Sequence, residues 1–224
     1  MNNLKPHRQF NWPIFLFGLV LGIAVFASFS YFKLARQINN SSANGAVSGN
    51  TDQVFNFTLR ANEPIWGNPE AKVSLVVFQD FTCPYCREYN STLENFMADY
   101  SDQVRIIFRH FPLNQKNPSA ISSANASECA GEQGKFWDFA RELYQADDFV
   151  YDFYIALAAK LNLDSEQFKT CLDSNTYADK ITADYSEGII KNVEGTPTTF
   201  INGRYFAGAF TQDKLVELIA PLLD

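Results

Sequence analysis

Two cysteines, Cys83 and Cys86, are separated by Pro84 and Tyr85. A pair at this spacing can help to bind a metal, form a small structural disulfide, or exchange electrons by cycling between dithiol and disulfide. A purely structural disulfide between them would close a very short loop and constrain the unfolded chain little. The spacing therefore favours thiol–disulfide exchange.

A zinc site would need further ligands at suitable spacing. The other two cysteines, Cys129 and Cys171, lie far apart in the sequence, and the two histidines are His7 and His110. These residues do not form a second close ligand pair. The sequence therefore predicts neither a metal nor another cofactor.

The segments on either side of the pair predict a strand followed by a helix. Residues 71–80 (AKVSLVVFQD) form a short, β-branched, apolar run typical of a buried strand. Apolar residues after the motif recur at helical spacing, which makes Cys83 the N-cap and Pro84 the first helical residue. The helix dipole would then lower the pKa of Cys83 by about one unit or less, and backbone N–H groups and Arg87 could add to this. Cys86, one turn on, could resolve a mixed disulfide.

The remaining pattern predicts an α/β domain. Residues 104–111 (VRIIFRHF) form a second buried strand, which gives a parallel strand–helix–strand unit. Helices are expected over 135–144 and 153–161, and another is capped by Asp164. The pair Asn202-Gly203 predicts a β-hairpin, and residues 211–223 a closing helix.

The N-terminal region predicts a membrane anchor. Residues 13–32 are uncharged and have about the length needed to cross a bilayer. We expect a short cytoplasmic segment (1–12), a transmembrane helix (13–32), a flexible linker (33–53) and a folded domain (54–224). A cleaved signal peptide ending near Ala27 is the alternative. The formal net charge of −7 argues against binding to nucleic acid.

Five segments together resemble the DsbA-like thiol–disulfide oxidoreductases of the thioredoxin superfamily, of the membrane-anchored bacterial type. They are VVFQDFTCPYCREY, IIFRHFPL, AGEQGKFWDF, FKTCL and VEGTPTTFINGRYFAGA. The resemblance covers about Val54 to Asp224. It implies a thioredoxin fold with a helical insertion at about 115–190, Cys83 as nucleophile and Cys86 as resolving thiol. It also implies a cis peptide bond between Thr196 and Pro197, packed against the pair.

The chain departs from the wider superfamily pattern at Val77. Many thioredoxin-fold enzymes carry a buried acid at that position, so a proton relay from there is not expected. Asp80 is an acid closer to the motif, but it is equally compatible with a solvated loop residue. His110 ends a strand near the same end of the sheet and could tune the redox pair or have a surface or packing role. Cys129 and Cys171 are expected to form a structural disulfide in an oxidising compartment, with free buried thiols or a second redox role as alternatives.

These observations predict an enzyme, a single-pass membrane protein whose catalytic domain faces the extracytoplasmic side. It would donate the Cys83–Cys86 disulfide to reduced exported proteins, and the resemblance implies that a membrane quinone-linked thiol oxidase would reoxidise it. A reductase or isomerase on the same fold is the first alternative. A non-catalytic, membrane-anchored binding module is the second.

Overall fold

The computed structural model describes residues 53–223. The expected N-terminal segment (1–12), the anchor (13–32) and nearly all of the linker (33–53) lie outside the described residues. No helix within residues 53–223 is both long enough and apolar enough to cross a membrane.

A mixed five-stranded sheet forms the centre of the domain, in the order β1-β3-β2-β4-β5. The strands are β1 (Ile65–Gly67), β2 (Val73–Gln79), β3 (Val104–His110), β4 (Thr198–Ile201) and β5 (Arg204–Ala207). Strands β2 and β3 are parallel, whereas the other neighbouring pairs are antiparallel. Because β2 and β3 are covered on both faces, all but one residue of each strand is buried, including Arg109 and His110 of β3.

Seven helices accompany the sheet within residues 53–223. They are α1 (Pro84–Tyr100), α2 (Pro118–Gly131), α3 (Phe136–Gln145), α4 (Tyr151–Lys160), α5 (Ser165–Asp173), α6 (Ala178–Ile190) and α7 (Gln212–Leu223). Helix α1 connects the parallel strands β2 and β3. The helices α2 to α6 form one uninterrupted block between β3 and β4.

The two faces of the sheet pack against different elements because side chains alternate along each strand. Leu75 and Val77 of β2 are buried with the apolar faces of α1 and α7. Their neighbours Val76 and Phe78 point to the other face, where Tyr185 of α6 packs. The site at the end of β2 is thus held by a strand buried on both sides.

The helical block has its own core, which reaches the cysteine pair. Phe139, Tyr144 and Phe168 lie in one buried cluster with Cys83 and Cys86. Cys129 of α2 and Cys171 of α5 are joined by a disulfide with an S–S distance of 2.04 Å. This bond ties two helices of the block directly to each other.

The structure confirms the α/β thioredoxin-like fold and several local predictions. Asp164 caps α5, since its Oδ1 accepts a hydrogen bond from the Gln167 N–H at 2.9 Å. The hairpin turns at Asn202 (φ 44°) and Gly203 (φ 82°), two positive-φ residues. A Cβ atom on Gly203 would lie 2.1 Å from the carbonyl oxygen of Phe55, so the chain entering the domain passes close over this turn.

Three elements were not predicted individually. Strand β1 is only three residues long, too short for a periodic signal. Helix α2 is rich in Ala and Ser and is buried around most of its circumference, so its sequence shows no amphipathic pattern. Helix α6 begins without a side-chain cap hydrogen bond and therefore lacks a start signal.

Candidate active site

The junction between β2 and α1 places the cysteine pair. Cys83 is the N-cap residue of α1 with extended backbone angles (φ −86°, ψ 121°), and Pro84 follows in the first turn. The Cys83 carbonyl accepts hydrogen bonds from the N–H groups of Cys86 (3.1 Å) and Arg87 (3.2 Å). Proline suits this place because its missing N–H would have no partner in the first turn.

The two thiols differ in accessibility. Both are free in this structure. Cys83 keeps 5% of its surface exposed, whereas Cys86 has none. Tyr85 between them is 66% exposed. An approaching thiol or disulfide can therefore reach Cys83 but not Cys86.

The surroundings of Cys83 stabilise its thiolate. A hydrogen bond from the Cys86 thiol is the main reason that the pKa of Cys83 falls to about 6, from an ordinary value of 9.0. Burial opposes the shift, while Thr196 and the N–H groups of Cys86 and Tyr85 support it. The sulfur accepts no full capping hydrogen bond from the first turn, so those backbone groups act at longer range. Cys83 is therefore mostly a thiolate at neutral pH.

Cys86 has the opposite tendency. Burial, followed by the hydrogen bond to Cys83 and the negative charge on that sulfur, raises the pKa of Cys86 far above the ordinary value for a thiol. Cys86 therefore keeps its proton and donates it in a hydrogen bond to the Cys83 thiolate. The pair holds one proton and one negative charge, each at a defined sulfur.

The loop before β4 completes the site. The Thr196–Pro197 peptide bond is cis. The Thr196 carbonyl oxygen lies 3.5 Å from the Cys83 sulfur, where it can accept a hydrogen bond only when Cys83 carries a proton. The loop is steadied by Thr198, whose hydroxyl donates to the Gly195 carbonyl at 2.7 Å. Because β4 pairs with β2, residues more than 100 positions apart meet at one end of the sheet.

Asp80 is buried, which rules out a solvated loop residue. One of its carboxylate oxygens accepts hydrogen bonds from the Thr82 N–H (2.8 Å) and hydroxyl (2.7 Å), and the other from the Leu113 N–H (2.9 Å). Asp80 therefore stabilises the turn that leads into Cys83 and connects this turn, through its hydrogen bond with Leu113, to the chain after β3.

Arg87 does not stabilise the thiolate, contrary to the sequence-based expectation. Its guanidinium donates to the Ala146 carbonyl and lies 3.6 Å from the Asp147 carboxylate. It therefore connects α1 to the end of α3. The charge on Cys83 is balanced by hydrogen bonding rather than by a neighbouring cation.

His110 belongs to a buried polar network that sequence reasoning missed. Its Nε2 lies 2.8 Å from a Glu128 carboxylate oxygen, and that oxygen also contacts the Lys180 ammonium at 2.5 Å. Burial opposes ionisation, but the hydrogen bond with His110 and the charge on Lys180 still hold the pKa of Glu128 below its usual range. The one feature of the sequence that could have indicated this network is Glu128 itself, a single acid among the small residues of helix α2. Within residues 53–223 no side-chain hydrogen bond joins these three residues to a cysteine sulfur, and their contacts connect β3, α2 and α6.

The chain matches the family described as Thioredoxin over residues 60–220. It is also similar to several solved structures of bacterial proteins. BdbD from Bacillus subtilis, in its oxidised form, is 25% identical, with a TM-score of 0.64 over 72% of this chain and 93% of that one. Alpha-DsbA1 from Wolbachia pipientis is 23% identical, with a TM-score of 0.66 over 75% and 94%. A thioredoxin-like oxidoreductase from Silicibacter pomeroyi is 24% identical, with a TM-score of 0.65 over 73% and 93%.

Curated relatives carry a different name. A Na(+)/H(+) antiporter NhaA 3 from Salinispora tropica is 31% identical over 82% of this chain but 29% of its own length. A Na(+)/H(+) antiporter NhaA 1 from Mycolicibacterium vanbaalenii is 32% identical over 72% of this chain and 27% of its own length. The chain thus spans less than a third of these relatives, and the name describes much longer proteins.

Proposed function

Because this chain belongs to the thioredoxin family and has the fold of DsbA-type thiol–disulfide oxidoreductases, we propose that it donates the Cys83–Cys86 disulfide to reduced exported proteins. One observation carries the proposal. The more exposed cysteine has its thiolate stabilised to a pKa of about 6, and the buried cysteine beside it keeps its proton.

The oxidase reaction begins with the disulfide form of the pair. A client thiolate attacks the Cys83 sulfur, a client–Cys83 disulfide forms, and the Cys83–Cys86 bond breaks. Cys86 leaves as a thiolate and takes up a proton, because its buried sulfur strongly disfavours charge. A second client thiolate then attacks the client's own sulfur and releases Cys83 as a thiolate. The client loses two electrons and the pair gains them.

The low pKa of Cys83 favours this direction. A stabilised thiolate is the better leaving group, and it stabilises the reduced pair relative to the disulfide. Thr196 lies beside the sulfur that would carry the mixed disulfide, where its backbone could pair with an extended client segment. The same thiolate could instead attack a client disulfide, so a reductase or isomerase remains the second candidate.

The proposed location is the extracytoplasmic side of the cell membrane, with residues 13–32 as anchor and a membrane quinone-linked thiol oxidase as redox partner. The Cys129–Cys171 disulfide supports an oxidising compartment. The described part of the chain enters the domain beside the β4–β5 hairpin turn. The Phe55 N–H bonds to the Gly203 carbonyl at 2.8 Å, and Asn202 pairs with Ser74 at the start of β2, the end opposite the cysteines. The first described residues of the domain therefore lie at the end of β2 opposite Cys83.

Trapping of mixed disulfides tests the roles of the two cysteines. In Cys86→Ala, Cys83 can attack a client disulfide but nothing resolves the adduct, so client-linked species should accumulate on non-reducing gels. In Cys83→Ala the remaining thiol is buried and protonated, and few adducts should form. Equal trapping by the two variants would contradict the assigned roles.

A further inference from the structure

The sulfur of Cys86 has to carry a negative charge briefly in the proposed reaction. When a client thiolate attacks Cys83, the Cys83–Cys86 bond breaks and Cys86 leaves as a thiolate. The Cys86 side chain has no exposed surface, so bulk water cannot solvate that charge directly. In the described part of the chain, the Asp80 N–H and Thr196 favour ionisation of Cys86, and no cation is among the groups that do. A further hydrogen-bond donor beside this sulfur would therefore speed the reaction.

Gln79, the last residue of β2, holds an unused donor of this kind. The residue is buried, with 1% of its surface exposed. Its side-chain Oε1 accepts a hydrogen bond from the Tyr144 hydroxyl at 3.0 Å, whereas its Nε2 is buried without a partner within residues 53–223. Buried polar groups in folded proteins nearly always have partners. An unpaired amide N–H next to a redox pair fits an acceptor that appears only during the reaction.

The strand register turns Gln79 towards the first turn of α1. Side chains alternate along a strand, so Gln79 lies on the same face as Val77. Val77 pairs with Thr199 of β4, whose hydroxyl lies 3.0 Å from the Tyr89 hydroxyl of α1. Helix α1 runs back antiparallel to β2, because it connects two parallel strands. The position two residues further along β2 therefore faces the helical turn before Tyr89, which holds Cys86.

Tyr144 connects the same amide to the redox pair from the helical block. It is fully buried in one cluster with Cys86. Burial raises the pKa of Tyr144 well above its ordinary value, and the negative charges of Cys86 and Asp80 raise it further. The Tyr144 hydroxyl thus keeps its proton and donates it to the Gln79 carbonyl. This hydrogen bond leaves the amide N–H end of Gln79 as the free one.

We propose that the Gln79 side-chain amide donates a hydrogen bond to the Cys86 thiolate as that thiolate forms, and that Tyr144 positions the amide. The electron pair of the Cys83–Cys86 bond goes to the Cys86 sulfur, and the client sulfur takes its place on Cys83. The amide keeps its own hydrogen atoms throughout. The proton that Cys86 then takes up is balanced by the one that the second client thiol loses.

This assignment rests on the thiol–disulfide exchange proposed above, but not on its direction. In a reductase or isomerase, Cys86 attacks the mixed disulfide on Cys83 and forms the same buried thiolate on the way. The amide would stabilise it equally in both cases.

Reduction of the Cys83–Cys86 disulfide by dithiothreitol tests the proposal. Full-length oxidised protein is reduced at pH 7, and samples are alkylated and mapped, so that this pair is followed separately from Cys129–Cys171. Gln79→Leu removes the amide and should slow reduction of the pair about tenfold, because a hydrogen bond to a charged group is lost.

Two tyrosine variants form a matched comparison. Tyr144→Phe leaves the Gln79 amide in place but no longer held, and should slow reduction about threefold, since a neutral hydrogen bond contributes less than one to a charge. Tyr154→Phe also removes a buried tyrosine hydroxyl of the helical block, one that lies 2.9 Å from the Ser122 hydroxyl. It should leave the rate unchanged. Equal rates in the two variants would remove the positioning role of Tyr144.

A purely structural role of Gln79 would give a different result. A loosened site would expose the disulfide and speed its reduction, whereas loss of the amide slows it. In Cys86→Ala protein that carries glutathione on Cys83, release of the glutathione by dithiothreitol does not involve the Cys86 sulfur. Adding Gln79→Leu should therefore leave that release unchanged.

The possible outcomes separate this proposal from the exchange reaction on which it rests. Reduction of Gln79→Leu as fast as the wild type or faster, or an equal slowing of glutathione release, would overturn the role of Gln79. A wild-type Cys83–Cys86 bond that is reduced no more readily than Cys129–Cys171 would instead contradict the exchange reaction itself.

Discussion

The Cys86 thiol is predicted to be the main support of the Cys83 thiolate, and replacing it tests this directly. Cys86→Ala removes the hydrogen bond that contributes most to the lowered pKa of Cys83. A hydrogen bond to a charged group contributes about 1.5–3 kcal/mol. One pKa unit corresponds to about 1.4 kcal/mol. The pKa of Cys83 should therefore rise by about one to two units in Cys86→Ala.

Cys86→Ser is the matched control for this experiment. Its hydroxyl can still donate to the Cys83 sulfur, so the pKa should stay closer to the wild-type value of about 6. The pKa of Cys83 is measured in the wild-type protein and in both variants from the thiolate absorbance at 240 nm as a function of pH. Cys129 and Cys171 form a disulfide and do not contribute a titration. A midpoint near 6 in Cys86→Ala would refute the assignment and transfer the role to the helix N-terminus and Thr196.

The same shift makes the stability of the reduced protein depend on pH. The folded pKa of Cys83 is lowered, to about 6 from 9.0. The contribution of Cys83 ionisation to the free energy of unfolding is therefore fully present above the unfolded pKa and is lost as the pH falls through the folded pKa. By linkage it amounts to about 1.4 kcal/mol at pH 7 and increases to about 4 kcal/mol near pH 9. In Cys86→Ala this increase in stability should begin at a pH that is one to two units higher.

Two further predictions concern the disulfide and the anchor. The double variant Cys129→Ala/Cys171→Ala should have a free energy of unfolding about 4 kcal/mol lower in the chain-entropy model, because the bond closes a loop with a sequence separation of 42. Urea unfolding without reductant measures this difference. A loss below about 1 kcal/mol would show that the bond contributes little. If residues 13–32 are an uncleaved anchor, the protein should stay at full length in the membrane pellet after a carbonate wash; soluble protein beginning near Ser28 would show cleavage instead.

The sequence predicted those structural features that depend on the residue types of a short segment. The motif around Cys83 specified a strand, a cap and a helix at once, since Pro84 fits only the start of the helix. Asn202-Gly203 specified its hairpin because both residues tolerate positive φ. These features depend on a few neighbouring residues, so they could be identified without tertiary information.

Other features depend on contacts between distant segments, and the sequence could not reveal them. Asp80 is buried because its carboxylate accepts a hydrogen bond from Leu113, 33 residues away. Glu128 can stay ionised while buried because His110 and Lys180, which belong to other elements, both contact its carboxylate. Arg87 is next to the motif in sequence, yet its partner is the Ala146 carbonyl. Side-chain direction in such cases follows from packing rather than from local pattern.

The reduction potential of the Cys83–Cys86 pair tests the central claim most directly. Full-length protein is equilibrated at pH 7 with glutathione buffers of graded ratio, and the reduced fraction is measured by thiol alkylation with Cys129–Cys171 left intact. A disulfide donor should have a potential less negative than about −200 mV, towards the value of about −120 mV for DsbA. A potential near the thioredoxin value of about −270 mV would contradict the oxidase assignment and favour the reductase.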